Sequence, residues 1–113
     1  MTVFRLGNGA GFSGDRVDAP IPVLRDLVAR GGPAAMFFET LAERTIALAH
    51  LERRRDPDAG YEPMLERLLR PILRDAHAAR IPLLGNWGAA NPPAAARAVA
   101  RLALELGLPG LRV

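Results

Sequence analysis

The chain contains no cysteine and no lysine. The lack of cysteine excludes disulfides, zinc–thiolate sites and a thiol nucleophile among these residues. All 15 basic residues are arginines, so a Schiff-base lysine and the lysine of a P-loop are excluded as well. We attribute this arginine bias to codon usage in a GC-rich genome.

Aromatic residues and long apolar runs are also scarce. Aromatics make up only 5% of the residues, so the core is expected to be aliphatic. No apolar run is long enough to span a membrane, and no segment has the basic start and apolar middle of a signal peptide. The net charge of +3 is modest, and no basic stripe with interleaved aromatics is present. We therefore expect one cytoplasmic domain over residues 1–113, with neither a membrane nor a nucleic-acid partner.

Short apolar runs alternate along the chain with segments of helical periodicity. This alternation predicts an α/β fold of three layers, with a mostly parallel sheet covered on both faces and joined by βαβ crossovers. The predicted strands are 3–6, 34–39, 81–86 and the beginning of a fourth at 111–113, and the predicted helices are 22–30, 40–55, 62–79 and 92–106. Because the fourth strand has only begun at the last residue, we expect the chain to be part of a larger domain.

Local signals refine these helices. Thr40 and Glu43 have the spacing of a capping box at the start of the second helix. Pro71 lies inside the third helix and should kink or divide it. In the first helix the predicted buried stripe consists of Leu24, Leu27 and Val28.

The segment from Gly7 to Arg16 predicts a glycine-rich loop after the first strand, where α/β folds usually bind ligands. Residues 9–14 fit the pattern G-x-G-x-x-G, and Glu39 stands at the end of the second strand. However, Pro20 and Pro22 delay the helix whose beginning would hold a pyrophosphate. A Rossmann-like dinucleotide-binding domain is therefore a minor alternative.

The loops after the three strands should meet at one edge of a parallel sheet. The candidate catalytic residues at this edge are Glu39, Asp15 and Glu43. The candidate ligand-binding residues are Asn8, Gly9, Gly11, Ser13, Gly14, Arg16, Arg44 and Asn86. His50 and His77 lie within helices, so neither is given a functional role.

Several of these candidates have a structural alternative. Glu43 serves equally well as a capping residue, and Asn86 as a turn residue. A carboxylate directly after a buried strand needs a partner. For Glu39 that partner is Arg44, Arg16 or a ligand. Asp15 and Glu39 could form an acid pair or an oxygen-rich metal site, but no metal ligand is assigned.

Four segments of the chain carry long, specific motifs: GNGAGFSGDR at 7–16, FETLAERTIA at 38–47, RRDPDAGY at 54–61 and NWGAANP at 86–92. Together these motifs resemble the N-terminal portion of the acyclic terpene utilisation family (AtuA-like proteins), and the resemblance covers nearly the whole chain. Trp87 and Gly85 depart from it, since a smaller residue and a more typical strand residue would be expected there.

This resemblance implies a role in bacterial catabolism of acyclic terpenes such as citronellol and geraniol, which proceeds through acyl-CoA intermediates. Two classes of function follow. The chain acts on or binds an acyl-CoA or related intermediate at the carboxyl ends of the strands, or it is a non-catalytic binding or assembly subunit. The expected partners are a small-molecule ligand, with a CoA thioester among the candidates, and the remainder of a longer protein, a partner subunit or a second copy. No particular cofactor is indicated.

Overall fold

The computed structural model describes all 113 residues. It contains three strands and five helices in the order β1 (Arg5–Ala10), α1 (Pro20–Arg30), β2 (Ala34–Phe38), α2 (Glu43–Arg55), α3 (Leu65–Leu69), α4 (Leu73–Ala78), β3 (Leu83–Gly85) and α5 (Pro92–Glu105). The strands form one parallel sheet in the order β1-β2-β3. The predicted α/β class, with a parallel sheet and βαβ crossovers, is confirmed.

One face of the sheet is covered by helices. Connections between parallel strands are almost always right-handed, so two successive steps in one direction put their helices on the same face. The core agrees with this rule. Met36 and Phe38 of β2 are fully buried in a cluster that includes Leu24 of α1, Leu69 of α3 and Leu102 of α5. Burial of such apolar side chains is the main force that holds the helices to the sheet.

The other face, which we call the bare sheet face, has no helical cover within these residues. Asn8, Phe37 and Leu84 form one row across the three strands on this face, and Leu6 lies two residues before Asn8 on β1, opposite Ala35. Leu6, Phe37 and Leu84 are 74%, 44% and 52% exposed. Only one of the two helical layers expected from the sequence is therefore formed by this chain.

Strand β1 extends into the segment that was predicted to be a loop. Gly7 packs below α1, because a Cβ there would lie 2.6 Å from Cγ1 of Val23. The register shifts between Asn8 and Ala10, so that Gly9 forms a bulge opposite Phe38. The prediction of a loop over 7–16 was therefore wrong for residues 7–10, which belong to β1. The glycines in this part of the strand leave space for neighbouring side chains.

Other boundaries differ from prediction for local reasons. Pro71 divides the third predicted helix into α3 and α4, as expected. Helix α2 begins at Glu43, and its first turn is capped by Thr45, whose Oγ1 accepts a hydrogen bond from the Ala42 N–H at 2.7 Å. The predicted capping box does not form, since the Thr40 hydroxyl is bonded elsewhere.

Burial within the helices also differs. No residue of α2 is buried, although its apolar row predicted a packed face. Val28 of α1 is 45% exposed, because it lines an open groove between α1 and α4 instead of entering the core. The fourth strand predicted at 111–113 is not formed, and these residues join no sheet.

Helix α4 ends in a Schellman motif with an arginine in the left-handed position. Ile81 N donates to the Ala76 carbonyl at 2.9 Å, and Arg80 N donates to the His77 carbonyl at 3.1 Å. Arg80 has a φ of 56°, a region that side chains with a Cβ disfavour.

Helix α5 ends in the same motif with glycine in that position. Leu108 N donates to the Ala103 carbonyl at 2.8 Å, and Gly107 N donates to the Leu104 carbonyl at 3.0 Å. Gly107 has a φ of 72°. The two helix ends therefore form a matched pair.

We predict that Arg80→Gly raises the free energy of unfolding by about 1 kcal/mol, because the strain of a left-handed arginine exceeds the extra backbone freedom that glycine brings to the unfolded chain. Gly107→Ala should lower it by a similar amount. Urea unfolding of both variants measures the effects. An Arg80→Gly variant no more stable than the original chain would contradict the expectation.

Candidate functional site

The loops after β2 and β3 are joined by the side chain of Asn86. Its Oδ1 accepts from the backbone N–H of Thr40 at 2.8 Å and from the Thr40 hydroxyl at 3.3 Å. Its Nδ2 donates to Oε1 of Glu39 at 2.7 Å, and the same oxygen accepts from the Leu41 N–H at 2.8 Å. The structure thus brings together Glu39 and Asn86, two of the predicted site residues.

Glu39 finds its partner in this amide and not in an arginine. The hydrogen bond from Asn86, followed by that from the Leu41 N–H, lowers the pKa of the Glu39 carboxyl. Arg16 is bonded to Asp18 at 2.7 Å on the exposed surface, and Arg44 is exposed at the start of α2. The carboxylate of Glu39 therefore acts as an acceptor that holds the second loop in place.

Asp15 closes the first loop on itself. Its two carboxylate oxygens accept from the N–H groups of Gly11 and Arg16, both at 2.8 Å. These backbone hydrogen bonds lower the pKa of Asp15. Asp15 and Glu39 share no hydrogen-bonding partner, and no group of three or more His, Asp or Glu side chains is arranged to hold a metal ion.

Ser13 leads from this loop to a buried carboxylate that the sequence did not indicate. Its Oγ donates to Oε2 of Glu62 at 2.6 Å, and Oε1 of Glu62 accepts from the Met64 N–H at 3.1 Å. Glu62 is only 4% exposed, and its own N–H donates to the Trp87 carbonyl at 2.7 Å. Each of these contacts is long-range or lies in an irregular turn, so no periodic pattern marks Glu62 as a site residue.

An aromatic pair lies beneath the edge of the sheet. The rings of Phe38 and Trp87 have centroids 4.9 Å apart and are tilted by 56°, a favourable geometry for aromatic contact. A Cβ on Gly9 would overlap the Phe38 ring, and a Cβ on Gly85 would overlap the Trp87 indole. The two glycines therefore provide space for the two rings.

A cavity of about 410 Å³ lies where the three loops meet α2. Ser13 comes from the loop after β1, Thr40 and Leu41 from the loop after β2, and Ala89 from the loop after β3. The remaining walls come from α2 and the turn that follows it: Thr45, Leu48, Ala49, Glu52, Asp56, Asp58, Ala59, Gly60, Tyr61, Glu62 and Pro63.

Hydrogen bonds fix the turn that forms one wall of the cavity. Buried Asn91 donates through Nδ2 to the carbonyls of Pro57 and Ala59, both at 2.8 Å. Ala90 N donates to the Gly60 carbonyl at 2.9 Å, and Arg53 of α2 donates to the Ala90 carbonyl at 2.8 Å. These bonds hold α2 beside the sheet although the helix buries none of its residues.

The other predicted site residues lie away from the cavity. Asn8 and Gly9 belong to β1, and Asn8 Oδ1 accepts from the N–H of Ala10 at 3.2 Å across the bulge. Exposed residues make up the rest: Gly11, Gly14, Arg16, Glu43 and Arg44. Ser13 is the predicted residue that lines the cavity. His50 and His77 are exposed on their helices.

A second groove lies between α1 and α4 and has a volume of about 470 Å³. No residue of the loops at the strand ends lines it.

None of the helices is long and apolar enough to cross a membrane.

A family model described as acyclic terpene utilisation family protein AtuA matches residues 4–113. No curated protein and no solved structure matches the chain.

The lowered pKa of Glu39 predicts a pH-dependent contribution to stability. A carboxyl with a lower pKa in the folded state stabilises the fold above its unfolded pKa, and this contribution is lost as the pH falls through the folded pKa. Glu39→Gln keeps a hydrogen-bond acceptor but cannot ionise. At neutral pH the original chain should therefore unfold at a higher urea concentration than this variant, and the difference between the two midpoints should disappear in acid. The same comparison in an Asn86→Ala background should show a smaller advantage. An advantage that stays constant across the pH range would contradict this assignment.

Proposed function

The chain belongs to the acyclic terpene utilisation family AtuA, and from this membership we propose that it binds a terpenoid intermediate in the cavity at the carboxyl ends of its strands. The resemblance of its four motifs to this family is confirmed. Membership associates the chain with acyclic terpene utilisation. The ligand and the site are our proposal.

The position of the cavity is the observation that carries this proposal. Ligands of α/β proteins bind beyond the carboxyl ends of the strands, and here the loops after all three strands contribute to one cavity. Small-molecule sites are typically about 300–1,000 Å³ in volume, with mostly apolar walls and a few polar groups. The side chains of Leu41, Leu48 and Ala49 supply apolar walls for a branched hydrocarbon.

The polar groups of the cavity suggest which residues a ligand would meet. Glu62 and Ser13 form a hydrogen-bonded pair that lines the cavity, and Glu62 is the most buried carboxylate of the chain. In an enzyme, such a carboxylate would be placed for proton transfer. Glu39 and Asn86 support the site from outside, because they hold Thr40 and Leu41 in its wall.

Three hypotheses drawn from the sequence remain proposals of lower rank. Asp15 and Glu43, proposed as catalytic groups, do not line the cavity. A CoA thioester needs a cationic partner for its phosphates, for which Arg16 and Arg44 are the candidates. A dinucleotide site would need the helix to begin at the glycines, whereas α1 begins at Pro20.

A filled cavity should abolish binding. Ala49→Phe places an aromatic ring in the cavity from α2, while Ala47→Phe makes the same change at an exposed position of the same helix. We expect the original chain and the Ala47→Phe variant to be stabilised thermally by citronellol, geraniol or their derivatives, because a ligand that binds the native state raises its stability. The Ala49→Phe variant should show no stabilisation.

Equal stabilisation of the Ala47→Phe and Ala49→Phe variants would show that the ligand binds elsewhere. A lack of stabilisation of the original chain by every terpenoid tested would contradict the proposed function. Far-UV circular dichroism of both variants checks that α2 is intact.

The alternative, a non-catalytic assembly subunit, is favoured by one observation. Leu6, Phe37 and Leu84 are large apolar side chains exposed on the bare sheet face, and Phe37 and Leu84 are direct neighbours in the register. Contiguous apolar patches of this kind mark surfaces that bind another polypeptide. In a solution of this chain alone, the available partner is a second copy.

We predict that the chain self-associates through this face and that Phe37→Ser reduces the association. Val28→Ser is the matched control, since Val28 is similarly exposed but lies on α1. Sedimentation velocity over a range of concentrations measures both effects. A chain that remains monomeric at all concentrations would contradict self-association, and an equal effect of the two substitutions would contradict the role of this face.

A further inference from the structure

We infer that the cavity selects an uncharged terpenoid with a free hydroxyl group over the corresponding acid or CoA thioester, with the ligand hydroxyl bound by Glu62 and Ser13. This inference rests on the proposed function and specifies its ligand class. Three features of the cavity support it: the sign of its charges, the hydrogen-bonding capacity of Glu62, and the apolar wall opposite.

The charged residues that line the cavity are all acidic. They are Glu52, Asp56, Asp58 and Glu62, and no arginine lines the cavity. Two of the four carboxylates have arginine partners outside the lining, at 3.2 Å for Glu52 and 3.0 Å for Asp58. The other two, on Asp56 and Glu62, have no ion pair.

Three of the arginines near the cavity are engaged with other groups. Arg53 donates to the Ala90 carbonyl, Arg55 to Glu52, and Arg97 to Asp58. A ligand carboxylate or phosphate would therefore meet like charge with no guanidinium in the lining to bind it. Glu52, Asp56 and Asp58 are exposed, so salt screens their repulsion, whereas the repulsion from buried Glu62 is screened less.

Glu62 retains capacity to accept a hydrogen bond. A carboxylate offers about four lone-pair positions, and two are used here, one on Oε2 by the Ser13 hydroxyl and one on Oε1 by the Met64 N–H. An alcohol can donate its proton to this carboxylate, whereas an ether or an ionised acid cannot. Hydrogen bonds to charged groups are stronger than those between neutral groups.

The apolar wall accommodates the remainder of such a ligand. Leu41, Leu48, Ala49 and Ala89 line the same cavity as the Ser13–Glu62 pair. The hydroxyl would thus be bound at the buried carboxylate while the branched hydrocarbon lies along α2. A site with this preference binds the terpenoid as an alcohol.

The test uses four probes with one carbon skeleton: citronellol, its methyl ether, citronellic acid and the CoA thioester of that acid. Isothermal titration calorimetry of the whole chain with each probe gives the affinities. We expect citronellol to bind at least about tenfold more tightly than the other three, as expected for one hydrogen bond to a charged group. For the acid and the thioester, this preference should diminish at high salt.

The outcomes separate the two proposals. If the acid or the thioester binds as tightly as citronellol, the inferred selectivity is overturned while the proposed function stands. If the methyl ether binds as tightly, the hydrogen bond to Glu62 is overturned. If none of the four probes binds, the proposed function fails and the inference fails with it.

A charge-neutral variant provides a second measurement. Asp56→Asn with Glu62→Gln removes the two unpaired charges and keeps similar shapes, so we expect the affinity for the acid to approach that for the alcohol. The control variant is Glu66→Gln with Glu105→Gln. It changes the net charge of the chain by the same amount, but both residues contact Arg70 and neither lines the cavity. An unchanged preference in the first variant would contradict the electrostatic basis. If that variant does not fold, Asp56→Asn alone, at an exposed position, makes the same test with a smaller expected effect.

Discussion

The handedness of the two strand crossovers is the constraint on which the rest of the structure depends. Because β1, β2 and β3 follow one another in one direction, right-handed connections put the helices on a single face. Met36 and Phe38 then anchor the one core, and the alternate positions of the same strands, such as Phe37, stay exposed. Because the strands are parallel, all three end at one edge, which is where the cavity lies.

Polar side chains join the loops and the turn at this edge. Asn86 joins the loops after β2 and β3, Asn91 holds the turn after α2, and Glu62 links that turn to Ser13. No buried side-chain nitrogen or oxygen lacks a hydrogen-bonding partner. A buried polar network that is fully satisfied makes a structure specific, whereas the loss of one member leaves its partners unsatisfied at considerable cost.

Short-range patterns predicted the architecture but not the contacts of the site. The alternation of apolar runs and periodic helices was enough for the α/β class, and Pro71 divides its helix as expected. The extension of β1 through Gly7 and Gly9 was not predictable from propensity, because glycine is depleted in strands and the side chains that fill its space come from Val23 and Phe38. Long-range hydrogen bonds explain the remaining differences. The Thr40 hydroxyl donates to Asn86, 46 residues away, instead of capping α2, and the buried carboxylate of Glu62 accepts from Ser13, 49 residues away.

The contact between Gly85 and Trp87 couples two neighbouring positions of the chain. A Cβ at position 85 would occupy the space of the indole, so the large side chain at 87 fills the volume that the glycine at 85 leaves free. A side chain at 85 would displace Trp87 from Phe38, and a small residue at 87 would leave a void beside that ring. In relatives of this chain the two positions should therefore have changed together during evolution, and a side chain at 85 should accompany a smaller residue at 87.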